Sequence, residues 1–210
     1  QDPGPVLVVQ PRVEDAESWS KERLAPMLRD NEWARGKVAD PKSRNSGNTI
    51  LHKLFPGGHL SAVGANAPAG LAARPIRVVL ADEVDRYPAS AGTEGDPVSL
   101  ARRRTETFWN RKIVLISTPT IAGLSRIWAA FEESDQRRFW VPCPHCGEYQ
   151  ILVWGQVKWQ KGRPETAEYA CAHCGGLWDD AARWRAVSQG EWRAGAPFRG
   201  GAGFHVNALY

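Results

Sequence analysis

The sequence lacks any long apolar run and any recognisable signal peptide. No stretch of the 210 residues approaches the roughly 20 consecutive apolar residues that span a membrane, so no membrane contact is expected. The first residues, Gln1-Asp2-Pro3-Gly4-Pro5, lack the basic start and apolar core of a secretory signal. These absences predict a cytoplasmic protein.

The sequence also lacks a large excess of one sign of charge, with 27 Lys and Arg residues against 23 Asp and Glu residues. The formal net charge is +4 and the isoelectric point about 9.0. A mild basic excess suits contact with DNA, but many proteins that bind no nucleic acid share it. Charge alone therefore predicts no partner.

Cysteine is scarce, and all four cysteines fall in two pairs, Cys143-Pro144-His145-Cys146-Gly147 and Cys171-Ala172-His173-Cys174-Gly175. A Cys-x-x-Cys pair points two thiolates at one ion, and the glycine that follows permits the tight turn. Four sulfurs complete a tetrahedral shell, so Cys143, Cys146, Cys171 and Cys174 are predicted to bind a structural zinc ion in a ribbon.

Other interpretations of the cysteines are weaker. A redox Cys-x-x-Cys usually stands alone at a helix start, and structural disulfides are disfavoured in a cytosolic chain. His145 and His173 are alternative ligands, although four cysteines already complete the shell. The zinc ion is predicted to be structural, because a module this small buries too little apolar surface to be stable without a cross-link or a metal. Contact of the ribbon with DNA or a partner subunit is a further hypothesis.

The rest of the sequence alternates apolar strands with helical spacing, which predicts an α/β fold with a mostly parallel sheet. The predicted domains are an ATPase-like region over residues 1–140, a zinc ribbon over 141–180 and a connection over 181–210. The predicted strands are Pro5–Val9, Asn48–Leu54, His59–Gly64, Ile76–Leu80 and Lys112–Ser117, and the predicted helices are Glu14–Leu28, Pro97–Trp109 and Ser125–Ser134.

Two strand ends carry candidate chemistry. The apolar strand Ile76–Leu80 leads to Asp82-Glu83, as in a Walker B element, where the first acid holds the magnesium of a nucleotide and the second orients the attacking water. The strand from Lys112 leads to Ser117-Thr118-Pro119-Thr120, as in the γ-phosphate-sensing strand of helicase-like ATPases. The alternative is that both are ordinary solvated strand ends.

The order of these motifs resembles the large terminase subunit of tailed phages, of the GpA (lambda-like) type. The resemblance covers nearly the whole chain, and its most distinctive parts are Cys-Pro-His-Cys-Gly after the Ser-Thr-Pro segment and the closing Gly-Phe-His-Val-Asn-Ala-Leu-Tyr. It implies a P-loop/helicase-like ATPase that uses ATP and magnesium to push viral double-stranded DNA into a capsid in the bacterial host cell. It also implies a homo-oligomeric ring, a small terminase subunit and a portal protein as partners, and a separate endonuclease domain.

By this resemblance, Asp82 would be the magnesium residue and Glu83 the catalytic carboxylate. Ser117, Thr118 and Thr120 would form the coupling motif. Arg74, just before the Walker B strand, is a candidate phosphate-sensing arginine or else an ordinary surface arginine.

The chain departs from the family in lacking a Gly-rich loop followed by Lys-Ser or Lys-Thr, which would bind the phosphates of ATP. We therefore expect the 210 residues to be a fragment that is inactive alone, with the phosphate loop upstream and the nuclease domain downstream.

Two other functions remain open. The chain could be a non-catalytic zinc-ribbon module for DNA binding or assembly. Asp82, Glu83 and Asp85 could instead hold the metals of a nuclease, but such a site needs further acids from other strand ends.

Overall fold

The computed structural model describes residues 2–39, 47–72 and 74–210. These residues form two compact units, Gln1–Ile127 and Trp128–Tyr210. None of the described helices is long and apolar enough to cross a membrane. The boundary predicted between residues 140 and 141 falls inside a strand of the second unit.

The first unit is built on a five-stranded sheet. Its strands are β1 Val6–Gln10, β2 His52–Phe55, β3 Gly58–Gly64, β4 Val78–Asp82 and β5 Lys112–Ile116. They lie in the order β2-β3-β1-β4-β5. Strands β1, β3, β4 and β5 run parallel, and β2 is antiparallel to β3, so the predicted α/β class with a mostly parallel sheet is confirmed.

Helices cover both faces of this sheet. The helices are α1 Val13–Trp19, α2 Ala25–Asp30, α3 Pro68–Ala72, α4 Pro97–Arg103 and α5 Arg126–Glu132, and α5 runs across the boundary of the two units. Val8 packs with Ala16 of α1 on one face, while Leu7 and Val9 pack with Leu71 of α3 on the other. The alternation follows from the two-residue period of a strand, which sends successive side chains to opposite faces.

Three predicted elements differ from the structure. The helix predicted over Glu14–Leu28 is broken by a π-helical turn, Ser20–Leu24, and Pro26, which has no N–H to donate, lies at the start of α2. The helix from Pro97 ends at Arg103 rather than Trp109, because the Thr105 hydroxyl donates to the Arg102 carbonyl and competes with the helical pattern.

The third difference concerns β5, which was predicted to be buried. Its side chains are only partly covered, and Ile116 is 56% exposed. The reason is its position, because β5 is the outer strand of the sheet as far as the described residues extend.

The further elements of the second unit are β6 Arg137–Pro142, β7 Tyr149–Gln150, β8 Val157–Gln160, β9 Arg163–Ala170, β10 Leu177–Trp178, α6 Asp180–Val187, β11 Glu191–Arg193 and β12 Phe204–His205. Strand β6 lies between the antiparallel β11 and the parallel β12, and it also pairs with β7. Strands β8, β9 and β10 form a separate three-stranded antiparallel sheet. Residues 181–210, predicted to be a connection, contribute β11, β12 and most of α6.

Candidate active site and metal centre

The predicted Walker B carboxylate lies where β4 leaves the sheet. Asp82 is the last residue of β4 and continues the register of Ala81, which pairs with Val9 of β1. The next residue of β1, the buried Gln10, donates from Nε2 to Asp82 Oδ2 at 3.1 Å. This bond fixes one carboxylate oxygen of Asp82, and the side chain remains only partly buried.

Glu83 turns the chain sharply out of the sheet. Its φ of 56° lies in the left-handed region, which a residue with a Cβ seldom adopts. Its carboxylate lies 3.3 Å from Arg86 and is 38% exposed. Strained backbone of this kind costs about 1–3 kcal/mol and is concentrated at functional sites.

The Ser-Thr-Pro-Thr segment follows the neighbouring strand at the same edge. Ile116, the last residue of β5, pairs with Asp82, so Ser117 begins directly beside the acidic turn. Ser117 Oγ accepts from the Asp85 amide at 3.2 Å. Thr118 is exposed on this turn, and its carbonyl accepts from Ser117 Oγ at 3.4 Å.

Asp85 joins the turn after β4 to the Ser-Thr-Pro-Thr segment, although the sequence predicted no role for it in ATP chemistry. Its Oδ2 accepts from both the amide and the hydroxyl of Thr120, at 3.0 and 3.2 Å. Its Oδ1 accepts from the Ile127 amide of α5 at 2.9 Å. Burial opposes ionisation of Asp85, but the hydrogen bonds from Ser125, Ile127 and Thr120 outweigh it and lower the pKa of this carboxyl.

Arg126 holds the same turn from its other side. Its guanidinium donates to the carbonyls of Tyr87 and Pro88 at 2.9 and 2.7 Å, and to Asp96 Oδ1 at 3.1 Å. Arginine can satisfy several acceptors at once because its five N–H donors lie in one plane. Arg126 thereby connects the start of α5 to the loop that follows Asp85.

The structure does not group Arg74 with these residues. Arg74 lies four residues ahead of β4, whereas Asp82 is at the opposite, carboxyl end of that strand. It lines a separate cavity with His52 and His59. Its role in phosphate sensing therefore stays a prediction.

The four cysteines of the second unit converge on one point. Their Sγ atoms all lie within 4.8 Å of one another, with Cys143 and Cys171 buried and Cys146 and Cys174 exposed. Two of the separations are 3.8 Å, between Cys143 and Cys174, and 3.9 Å, between Cys146 and Cys171. A disulfide would require about 2.05 Å, whereas a tetrahedron of sulfurs about 2.3 Å from a metal has edges of about 3.8 Å.

The two cysteine turns share one backbone design. In each, the amide of the glycine after the second cysteine donates to the carbonyl of the first, at 2.9 Å for Gly147 and 3.0 Å for Gly175. Both glycines have positive φ values, 77° and 73°, which explains why glycine occupies this position. The two turns thus place the four sulfurs at separations that suit tetrahedral coordination of one metal ion.

Hydrogen bonds favour the thiolate of Cys171. Burial raises its pKa, but donors from the Cys174 and His173 amides and the Gln150 side chain outweigh burial and lower the pKa to about 6. His145 Nε2 is 2.9 Å from the Leu177 carbonyl, a contact that orients the ring toward the backbone rather than toward the sulfurs.

Residues 1–192 match the family described as phage terminase large subunit gpA, ATPase domain. The chain is 32% identical over 200 residues to the large terminase subunit of Enterobacteria phage P21, which covers 89% of the chain and 31% of that protein. It is 30% identical over 175 residues to the large terminase subunit of Escherichia phage lambda, which covers 80% of the chain and 27% of that protein. The chain thus spans about a third of the length of these relatives, and no solved structure matches it.

Replacing Asp85 with alanine should destabilise the first unit by about 1–3 kcal/mol, because the Thr120 and Ile127 amides lose a charged acceptor. Urea denaturation of the wild type and the variant at neutral pH measures the difference. Because the folded-state pKa of Asp85 is depressed, its stabilisation is present above the unfolded pKa of about 3.9 and is lost as the pH falls through the folded value. An equal difference at all pH values would contradict a charge-dependent role.

Replacing Cys171 with alanine should abolish metal binding and unfold the second unit, because three sulfurs cannot close a tetrahedral shell. Elemental analysis measures the bound metal, and limited proteolysis locates the unfolding. The matched control is His173→Asn, which leaves all four sulfurs in place. Wild-type protein that contains no metal, or a Cys171 variant that retains it, would refute the metal site.

Proposed function

Because the chain belongs to the phage terminase large subunit gpA family and matches its ATPase domain, we propose that it is part of a motor that hydrolyses ATP to package viral DNA into the capsid. The observation that carries the proposal is the network at one edge of the sheet. Asp82 and Glu83 follow β4, and Ser117 and Thr120 follow the adjacent strand β5. Asp85, on the turn after Glu83, is hydrogen-bonded to both Ser117 and Thr120. A chemical site on a parallel sheet is expected at this carboxyl edge.

In the proposed mechanism, Asp82 would hold the Mg²⁺ that accompanies ATP. The fit rests on its position at the strand end and on the hydrogen bond from Gln10, which fixes one oxygen of Asp82 while the side chain remains partly accessible. Magnesium would offset the negative charge of the phosphates. Glu83 would orient and deprotonate the attacking water, and its left-handed backbone directs the chain out of the sheet at this point.

We propose that Ser117, Thr118 and Thr120 couple the state of the nucleotide to the rest of the first unit. A change at the end of β5 would pass through Thr120 to Asp85 and from Asp85 to the first turn of α5. Each contact in this route is a direct hydrogen bond of about 3 Å in the normal range. The route supplies a physical connection from the nucleotide edge to a helix.

We further propose that the four cysteines hold zinc in a structural ribbon. Zn²⁺ prefers thiolate ligands in tetrahedral geometry, and the sulfur separations of 3.8 and 3.9 Å suit such a shell. The ion would stabilise a unit that has one short helix and several short strands. In this proposal, residues 141–180 are the ribbon and residues 1–140 the ATPase region.

The family also suggests the partners of this motor. We propose that it acts on double-stranded viral DNA as a homo-oligomeric ring, together with a small terminase subunit and a portal protein, in the cytoplasm of the bacterial host. Endonuclease activity is proposed only for a longer protein of which the chain would be a part. The 210 residues contain no phosphate-binding loop, so the chain alone should turn over ATP poorly.

The decisive variant is Glu83→Gln in a chain extended upstream to include a phosphate loop. Loss of the catalytic carboxylate should lower DNA-stimulated ATP hydrolysis about 10²–10⁴-fold, because glutamine cannot accept a proton from water. The matched control is Glu106→Gln, which removes the same charge at an exposed position after α4.

Full activity in the Glu83 variant would remove the proposed role of Glu83. A folded, zinc-loaded wild type that shows no turnover would instead favour a binding or assembly module. Both results require a check of folding by circular dichroism and of bound metal by elemental analysis.

A further inference from the structure

A cavity of about 300 Å³ lies on one face of the first unit, away from the Asp82 edge. Its polar wall consists of His52 of β2, His59 and Ser61 of β3, and Arg74 from the segment before β4. The apolar lining is formed by Leu7, Val63, Leu71 and Ile76. This volume is at the lower end of the range for small-molecule pockets.

The two histidines form a connected pair. Their ring centroids are 5.4 Å apart, and His52 Nδ1 is 3.0 Å from Ser61 Oγ. The Nε2 atom of His59 is shielded from water and has no hydrogen-bond partner among the described residues. An unpaired buried nitrogen of this kind costs free energy in the folded protein.

The charges around the pair have one sign. Arg74 lines the cavity, and Lys53 acts on His52 from the same strand. Burial, followed by Arg74 and Lys53, lowers the pKa of His52, while burial, His52 and Arg74 lower that of His59. Among the residues that line the cavity there is no carboxylate.

A metal ion fits this wall poorly. Two imidazoles supply only part of a metal coordination shell. Among the described residues, the one group of three or more side chains that could hold a metal ion is the four cysteines, which do not line this cavity. An anion instead suits Arg74, which can donate to oxygen, and it meets no carboxylate in the cavity lining. The apolar side of the cavity would accommodate an uncharged part of the same molecule.

We propose that this cavity binds a small phosphorylated molecule, with its phosphate group between Arg74, His52 and His59 and its apolar part against Leu71 and Ile76. Arg74 supplies a planar pair of donors and the permanent charge, and the His52 and His59 rings line the cavity beside it. The site is separate from the proposed ATP edge, so it can be tested in the 210-residue chain.

The probes are inorganic phosphate, phenyl phosphate and a short DNA duplex, at constant ionic strength. Titrations are followed by the imidazole nitrogen signals of His52 and His59, assigned with His52→Asn and His59→Asn. Phenyl phosphate should bind more tightly than inorganic phosphate because it also fills the apolar wall. The duplex should not compete with phenyl phosphate.

Arg74→Gln should weaken phenyl phosphate binding at least about tenfold, because the phosphate loses its charged hydrogen-bond donor. Arg111→Gln removes the same charge at another exposed position and should leave the affinity unchanged. Sulfate, which keeps its charge, should bind more tightly at about pH 5.5 than at about pH 7.5, since protonated histidines attract it. His52 and His59 are the groups that would titrate, facing Arg74 and Lys53.

The proposal is overturned if neither phosphate compound shifts the two imidazoles below about 10 mM. It is equally overturned if binding is the same in Arg74→Gln, or if only the DNA duplex binds in an Arg74-dependent manner. None of these results depends on ATP hydrolysis, so the proposed motor function would be unaffected.

Discussion

The arrangement of the candidate site in the first unit depends on the position of β4 between two parallel neighbours. Parallel register brings the carboxyl ends of β1, β4 and β5 to one edge of the sheet, where Gln10, Asp82 and Ser117 become adjacent. An antiparallel β5 would have placed Ser117 at the far end of Asp82's strand. The contact between residues 72 positions apart in sequence, Gln10 and Asp82, is a direct product of this register.

The acidic turn after β4 is held more firmly than its exposure suggests. Asp85 accepts hydrogen bonds from two segments, and Arg126 donates to carbonyls on the other side of the same turn. These bonds hold the turn that follows Glu83, whose backbone is left-handed. The proposed catalytic role of Glu83 would benefit from a restrained turn, because reacting groups must be held close to one geometry.

The sequence predicted the parts of the fold that follow from local patterns. Strands β1 and β4 are apolar runs bounded by polar residues, and the cysteine turns follow from Cys-x-x-Cys-Gly spacing. Local patterns could not predict the exposure of β5, because burial depends on which strand lies at the edge. They also missed Gln10 and Asp85, whose partners are distant in sequence, although a polar residue at the end of an apolar strand was a usable signal for Gln10.

The cysteine cluster and the acidic turn differ in how their negative charge is stabilised. Four thiolates packed within 4.8 Å would repel one another, so in the proposed zinc site the ion would balance their charge. At the sheet edge, by contrast, protein donors stabilise the Asp85 charge, and the proposed mechanism assigns the cation and the water to Asp82 and Glu83 instead. The third acid of Asp-Glu-Val-Asp therefore connects the acidic turn to β5 and α5, since its oxygens accept hydrogen bonds from Thr120 and Ile127.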